Sequence, residues 1–355
     1  MKTDFEATKF ITGMRGWSAM AVLLIHYGSY LREYGTIFNS IIDSGKYGVQ
    51  FFFLISGFTI CMSIDRNWYG FRTYIIKRCF RVLPMYYLVC IICFAIGGIP
   101  YYLHLFNVEN DIYSLFLHLT LLNYFDVRYV NNLIGVEWSI PVEFIFYLIV
   151  PGIWFILKKG KFIHFFLLPM SLCITLFGSI VLVKTGVYSN DFFTFRKLWS
   201  IESHALIFSL GVFCYFHFEK LRNLVSKYQF ALPISIFTTF SYIIFIESHS
   251  SLAINLLFTI VFIACISRHK LCRIIFENKL IFKTGEISYS IYLLHYPILI
   301  LLKPWIQNNF ILSISGLILC WLTSFVSYIL IEKPAMAYGK NFAHRISIQN
   351  INKRS

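Results

Sequence analysis

Charged side chains are scarce in this chain: Asp, Glu, Lys and Arg make up 14% of its 355 residues, and only 17 residues are acidic. Soluble domains carry about 25% charged residues, so a water-exposed globular domain is excluded. Hydrophobic residues reach 58% and aromatic residues 19%. They fall in apolar runs along the whole length, between short polar loops, with no composition shift to mark a separate soluble domain. The pattern predicts an all-α, polytopic transmembrane bundle occupying 1–340, followed by a short cytoplasmic tail at 341–355. Other signatures are missing. There is no zinc-ligand spacing, Walker loop, GxSxG elbow or GxGxxG fingerprint, and no visible internal repeat. No metal site is expected. The nine cysteines are odd in number and lie in predicted spans or cytoplasmic loops, which argues against a disulfide framework. Cys90 and Cys93 form a CxxC, but without neighbouring His or Cys ligands it reads as packing.

The net charge of +14 suggests nucleic acid until the basic residues are placed. Ten spans are expected, at 11–30, 47–64, 82–99, 140–157, 162–183, 201–217, 231–246, 252–267, 287–303 and 312–331. On that division 23 of the 31 Lys and Arg residues fall on one side. Cytoplasmic loops collect Lys and Arg, so both termini are expected in the cytoplasm and the excess is a topology signal, not a nucleic-acid footprint. The first apolar run ends in no small-residue cleavage site and contains Arg15, so it is expected to stay as a helix and not to be removed as a signal peptide.

That run, ITGMRGWSAMAVLLIHYGSY, holds two ionisable groups, Arg15 and His26. Such groups inside a span are costly and point to function. Eleven residues of helix turn through about three full turns plus 20° and rise about 16 Å, so both project from one face. A long anionic ligand with its reactive end deep in the membrane suits that stripe. Equally, Arg15 can snorkel to the headgroups while His26 hydrogen-bonds inside a bundle.

The second span, GVQFFFLISGFTICMS, sets Gly48, Ser56 and Gly57 among bulky aromatics, which permits close helix approach. The loop that follows is the most basic short segment, with Arg66, Arg72, Lys77, Arg78 and Arg81 before Pro84. Arg78 and Arg81 are neighbours on one helical face, and forked guanidiniums bind phosphate oxygens. Part of this charge is ordinary topology bias. Beyond the third span, Ile112 to Leu122 is too short to cross the bilayer and reads as interfacial or re-entrant, within an outer loop suited to an acceptor.

At the fourth span, VEWSIPVEFIFYLIVP puts Glu143 just inside an apolar helix. Its depth matches that of His26, so the carboxylate can orient the imidazole as in base-plus-orienter chemistry; capping its own helix or pairing with a structural Arg are the alternatives. Spans five to eight read as scaffold, with Glu202 and His204 interfacial. The ninth span opens GEISYSIYLLHYPILI, with Ser288, Tyr289, Tyr292 and His295. Tyr289 is a candidate for the cofactor side, and His295 reads as a hydrogen-bonded packing histidine, with a second functional group as the alternative. Glu332 and Pro334 mark the cytoplasmic exit of the tenth.

Taken together these segments resemble the acyltransferase-3 family of bacterial membrane O-acyltransferases. The matching pieces, in order, are Arg15 with His26, GVQFFFLISGF, the RxxR of Arg78 and Arg81 followed by LP, EWSIPVEFIFYLIVP, SYSIYLLHYP and the terminal IEKP. They cover residues 10 to 336. The resemblance implies a ten-helix inner-membrane protein moving an acyl group, usually acetyl, from cytosolic acyl-CoA to an extracytoplasmic carbohydrate hydroxyl. It implies His26 as the central catalytic residue, with Arg15, Arg78 and Arg81 serving the cofactor side and Glu143 supporting the acceptor side; Arg15 and Glu143 are grouped with His26 as catalytic candidates, and Lys77 and Tyr289 join Arg78 and Arg81 as cofactor-binding candidates. Relatives commonly carry a second acid and a Gln after the glutamate; here Phe144 and Ile145 follow, so a paired-carboxylate role is not carried over. Some relatives have a fused SGNH hydrolase-like domain, which this sequence does not contain. The expected donor is acetyl-CoA and the expected acceptor a surface polysaccharide such as O-antigen. A transporter or flippase of lipid-linked sugars, using Arg15, His26 and Glu143 as an ion relay, is the rival reading; a purely structural scaffold is a third.

Overall fold

The apolar runs are helical throughout the computed structural model, which describes residues 8–66, 68–160, 163–184, 198–246 and 250–352, and no strand occurs among the described residues. In chain order the helices used below are α1 (Lys9–Gly28), α2 (Thr36–Ser44), α3 (Gly48–Arg66), α4 (Phe71–Ala95), α5 (Pro100–Phe106), α6 (Ile112–Leu119) and α7 (Ser139–Lys159). They continue as α8 (Ile163–Lys184), α9 (Ile201–Phe216), α10 (Phe218–Val225), α11 (Ala231–Phe245), α12 (Ser251–Ile266), α13 (Lys270–Phe276), α14 (Lys279–Glu286), α15 (Ser288–Leu302), α16 (Asn309–Ser327) and α17 (Lys333–Asn352).

Each expected span coincides with a helix, yet length and composition qualify fewer of them as crossings. Phe38–Arg66, Phe71–Ala95, Ser139–Lys159 and Asn309–Ile348 are long and apolar enough to cross a membrane. Three bent pairs raise the number to seven if each is one span: α9 with α10 at 80°, α12 with α13 at 116°, and α14 with α15 at 76°. Ranges of 15 or 16 residues for α9, α11, α12 and α15 fall short of the roughly 20 needed to span about 30 Å. Helicity and membrane character are therefore clear, and the count of ten is finer than this criterion resolves.

Two boundaries differ from expectation. Residues 71–81 belong to α4 and not to a loop, because the basic positions are spaced so that Arg78 turns inward while Arg72 stays outside. At the other end, helix continues through residue 340 without a break, and α17 lies along α4 with Phe80 against Tyr338 and Phe342.

The helix α1 is the hub, packed against α2, α3, α13, α14, α15 and α16. Small residues allow this. A Cβ added at Gly13 would lie 1.6 Å from the Phe276 carbonyl oxygen. The close approach expected in the second span is met between α3 and α9, where Gly57 abuts the Phe208 carbonyl and Gly211 abuts that of Leu54. Cys90 and Cys93 are buried in the same apolar core.

The short helices α5 and α6 and the segment 130–138 close one end of the bundle. The segment is organised by Glu137, which is fully buried. Its Oε1 accepts from the backbone N–H groups of Leu133 and Ile134 at 3.0 and 2.9 Å, and its Oε2 from that of Val136 at 2.9 Å. His118, also fully buried, donates from Nε2 to Glu137 Oε1 at 3.1 Å, and its Nδ1 lies 2.8 Å from the Ser114 carbonyl oxygen. Four donors on one carboxylate satisfy a group that would be costly to bury alone. Glu137 was not singled out from the sequence, although it opens the EWSIPVEFIFYLIVP segment quoted above.

Candidate active site

Polar groups gather at two levels along α1. At the first, Arg15 meets residues from three other elements. Arg78 and Arg81, three apart on α4, turn the same way; Glu143 and Tyr147, four apart on α7, face them. Glu143 Oε1 accepts from Ser56 Oγ at 2.7 Å and from Tyr147 Oη at 2.8 Å. The Arg78 guanidinium, 7% exposed, lies between the rings of Tyr74 and Tyr147, 5.4 and 5.2 Å from their centroids. Arg15 lies in the electrostatic field of Arg81, Glu143 and Arg78. Buried Glu332 accepts from Ser290 Oγ and feels Arg81 and Arg15.

Three guanidiniums thus face two carboxylates, without a direct ion pair between them. Arg15 Nε and Arg78 Nη2 are buried donors with no partner. Buried unpaired donors carry a desolvation cost of about 1–3 kcal/mol or more, and an anion or carbonyl oxygen relieves it. Of the other cofactor-side candidates, Tyr289 borders this level and donates from Oη to the Val82 carbonyl at 2.9 Å, bracing α15 to α4. Lys77 stands apart, its Nζ over the Tyr69 ring, 5.6 Å from the centroid. The space at this level is a cavity of about 40 Å³ between Arg15, Phe52, Phe53, Glu143 and Tyr289. That is room for a water molecule.

The second level is a chamber of about 490 Å³ that meets the first at Val49 and Tyr292. Half-buried His26 lines it, with Gln50, Tyr102, Asn131, Trp138 and Trp199 among its neighbours. Gln50 Oε1 is buried and unpartnered. His204, expected at the interface, is buried, stacks on Trp138 at 5.2 Å and 29°, and lines the chamber. Aromatic faces plus a few amides and hydroxyls are the composition of a site for a polar small molecule with apolar faces.

The expected partnership of His26 with Glu143 is not made. Glu143 is engaged by Ser56 and Tyr147 at the arginine level. His26 instead has the ring of His295 at 4.9 Å and the edge of Tyr296 at 5.0 Å. His295 is buried and hydrogen-bonded within its own helix, Nδ1 to the Tyr292 carbonyl at 2.7 Å, as expected of a packing histidine; α15 also brings its ring beside that of His26, and Tyr27 Oη donates to the His295 carbonyl at 2.7 Å. The depth count that suggested Glu143 cannot choose between two acids and a histidine at similar heights. The signal for His295 was its own position midway along a span. The walls behind these rings are fixed by the Glu137 segment: Tyr292 Oη donates to the Val136 carbonyl and accepts from Ser139 Oγ at 2.8 Å.

Residues 8–332 match a family model described as an acyltransferase domain, which spans both levels and every site residue named above. No curated protein and no solved structure matches the chain.

Proposed function

The chain belongs to the acyltransferase-3 family, and from that premise we propose that it is a membrane O-acetyltransferase. In this reading it crosses the bacterial inner membrane ten times with both termini in the cytoplasm. It moves acetyl from cytosolic acetyl-CoA to a hydroxyl of an extracytoplasmic surface polysaccharide, such as O-antigen or another lipid-linked glycan. One observation carries the reading. A single helix presents Arg15, among guanidiniums with unpartnered buried N–H groups, and eleven residues later His26, on the wall of a chamber of about 490 Å³.

The two levels suit the two ends of the reaction. Arg15, Arg78 and Arg81 offer donors to the anionic donor substrate, Arg78 being held between the Tyr74 and Tyr147 rings, and Glu143 and Glu332 offset part of their charge. The chamber takes the sugar. His26 removes the proton of the attacking hydroxyl as its oxygen adds to the thioester carbonyl; the C–S bond then breaks, and the proton passes to the departing CoA sulfur. In the alternative order the imidazole itself takes the acetyl group from sulfur and hands it to the hydroxyl. Because the cavity at the arginine level holds only about 40 Å³, the acyl arm reaches His26 by displacing side chains such as Phe52.

The test is His26→Ala in cells. Surface O-acetyl, read by NMR, is expected to disappear while total glycan is unchanged, and membrane-inserted protein is checked by immunoblot. Loss of the glycan itself would overturn the reading in favour of transport of a lipid-linked sugar, and loss of neither would leave a structural role. Trapping labelled acetyl on the protein without acceptor distinguishes the two orders of transfer.

A further inference from the structure

We propose that His295 is the positioning residue of His26, accepting a hydrogen bond from it and so fixing which of its nitrogens presents a lone pair to the chamber. The argument begins with His295's own proton. Its Nδ1 lies 2.7 Å from the Tyr292 carbonyl oxygen and 3.2 Å from that of Ile291. Carbonyl oxygens only accept, so Nδ1 carries the hydrogen. In the neutral ring the other nitrogen, Nε2, is then a bare lone pair. It is fully buried and has no partner. An orphaned acceptor in a helix bundle is costly unless something donates to it.

The donor at hand is His26. Nδ1 is turned back onto its own helix, so Nε2 is on the ring edge away from the α15 backbone. Of the rings around His295, that of His26 is nearest, at 4.9 Å against 5.9 Å for Tyr292 and 6.4 Å for Tyr296. At that separation a turn of either ring brings two imidazole nitrogens into hydrogen-bond reach. The backbones on both sides are held: Tyr27 Oη bonds the His295 carbonyl, and Ser313 Oγ bonds the Tyr27 carbonyl at 2.8 Å. A neutral imidazole has one N–H. If it is spent on His295, the opposite nitrogen of His26 is unprotonated and faces the cavity, ready to take a proton or an acyl group. In base-plus-orienter sites a carboxylate usually does this orienting. Among the described residues lining the chamber there is none. An imidazole orienter also adds no charge to the site.

The kinetic arm of the test rests on the acetyl-transfer reading; the labelling arm does not. Purified full-length protein in nanodiscs is treated with diethyl pyrocarbonate, which acylates unprotonated imidazole nitrogens, and modification of His26 is followed by mass spectrometry against exposed His104 as internal control. Three forms are compared: wild type, His295→Phe, which keeps a ring without an acceptor, and His295→Gln, whose amide can donate to Tyr292 and accept from His26. His26 labelling relative to His104 should fall in His295→Phe and recover in His295→Gln. With acetyl-CoA and extracted surface glycan, kcat should fall about 100-fold in His295→Phe, with KM for acetyl-CoA held within about twofold, and return to within about tenfold of wild type in His295→Gln. Unchanged His26 labelling in His295→Phe overturns the proposal, as does a His295→Gln protein of wild-type melting behaviour that is as impaired as His295→Phe. Should His295→Phe not accumulate, His295→Met supplies the same comparison. Altered labelling in a protein without acetyl transfer to glycan sustains the pair and removes the assigned reaction.

Discussion

The arginine level and the histidine chamber lie on one face of one helix, about 16 Å apart, and are built on opposite principles. The first is crowded and ionic: three guanidiniums and two carboxylates cluster there, and the gap, lined by Arg15 and Glu143 among the charged residues described, is about 40 Å³. The second is roomy and almost uncharged, with Lys46 its only Lys, Arg, Asp or Glu among the described lining residues. Fixed cations in a low-dielectric setting hold anionic groups strongly. An uncharged chamber instead leaves an imidazole neutral, with a lone pair free to react. The contrast teaches that the donor's charge and the chemical step are handled in separate places, so substitutions should divide cleanly between donor binding and turnover.

Arg78 offers the largest test of that division. Removing it leaves two guanidiniums facing two carboxylates, so the electrostatic balance of the cluster improves and folding should survive. What is lost is a buried forked donor held between Tyr74 and Tyr147. Arg78→Leu should lower kcat/KM for acetyl-CoA about 100-fold, on the order of 3 kcal/mol, with KM for the glycan unchanged. Arg78→Lys should recover only part, since an ammonium lacks the planar fork. Steady-state kinetics with each substrate varied in turn decide it, and a shift confined to the glycan KM would break the comparison.

A middle-sized effect is expected at Gly135, which belongs to the chamber alone. Its φ of +94° favours glycine, and a Cβ there would lie 2.3 Å from the Tyr296 ring. Tyr296 in turn touches His26. Gly135→Ala should therefore cost about 1–2 kcal/mol in stability through backbone strain. By moving that ring it should lower kcat about tenfold, leaving KM for acetyl-CoA as it was. Thermal unfolding and the same kinetics read both parts. A rise in the acetyl-CoA KM would mean that the two levels are mechanically one.

Much of this was legible in advance, and for identifiable reasons. Composition and apolar runs yielded the helical membrane class because burial in lipid leaves few options for backbone hydrogen bonds. Arg15 and His26 stood out because ionisable groups inside an apolar run are conspicuous, and helical spacing put them on one face. The arginine pair was legible for the same reason. Partnerships across the bundle were not. Glu143 was matched to His26 by depth, but depth ignores rotation about the helix axis, and the face of α7 that carries Glu143 and Tyr147 turns toward Arg78. Glu332 looked like a terminus marker until Ser290 and the guanidiniums were seen around it. Glu137 acts through backbone N–H groups of a buried segment, an arrangement with no side-chain spacing to detect. Short bent helices such as α14 and α15 hid the span count, because a bend of 76° leaves no trace in hydropathy.

Lys77 supplies the smallest effect and the sharpest boundary. The sequence groups it with Arg78 and Arg81, and a simple count of positive charge would make the three equivalent. The helix separates them: one residue is about 100° of rotation, so when Arg78 faces the bundle core Lys77 is carried outward. There its ammonium lies over the Tyr69 ring and senses Lys340, with water for a competitor. Exposed cation–π contacts are worth about 0.5–1 kcal/mol, and screened surface charges contribute little to binding. Lys77→Ala should thus change the acetyl-CoA KM by no more than about twofold, and that change should vanish when ionic strength is raised. A loss as large as that of Arg78→Leu, persisting in high salt, would extend the donor site outward along α4 and dissolve the boundary between buried cluster and basic surface.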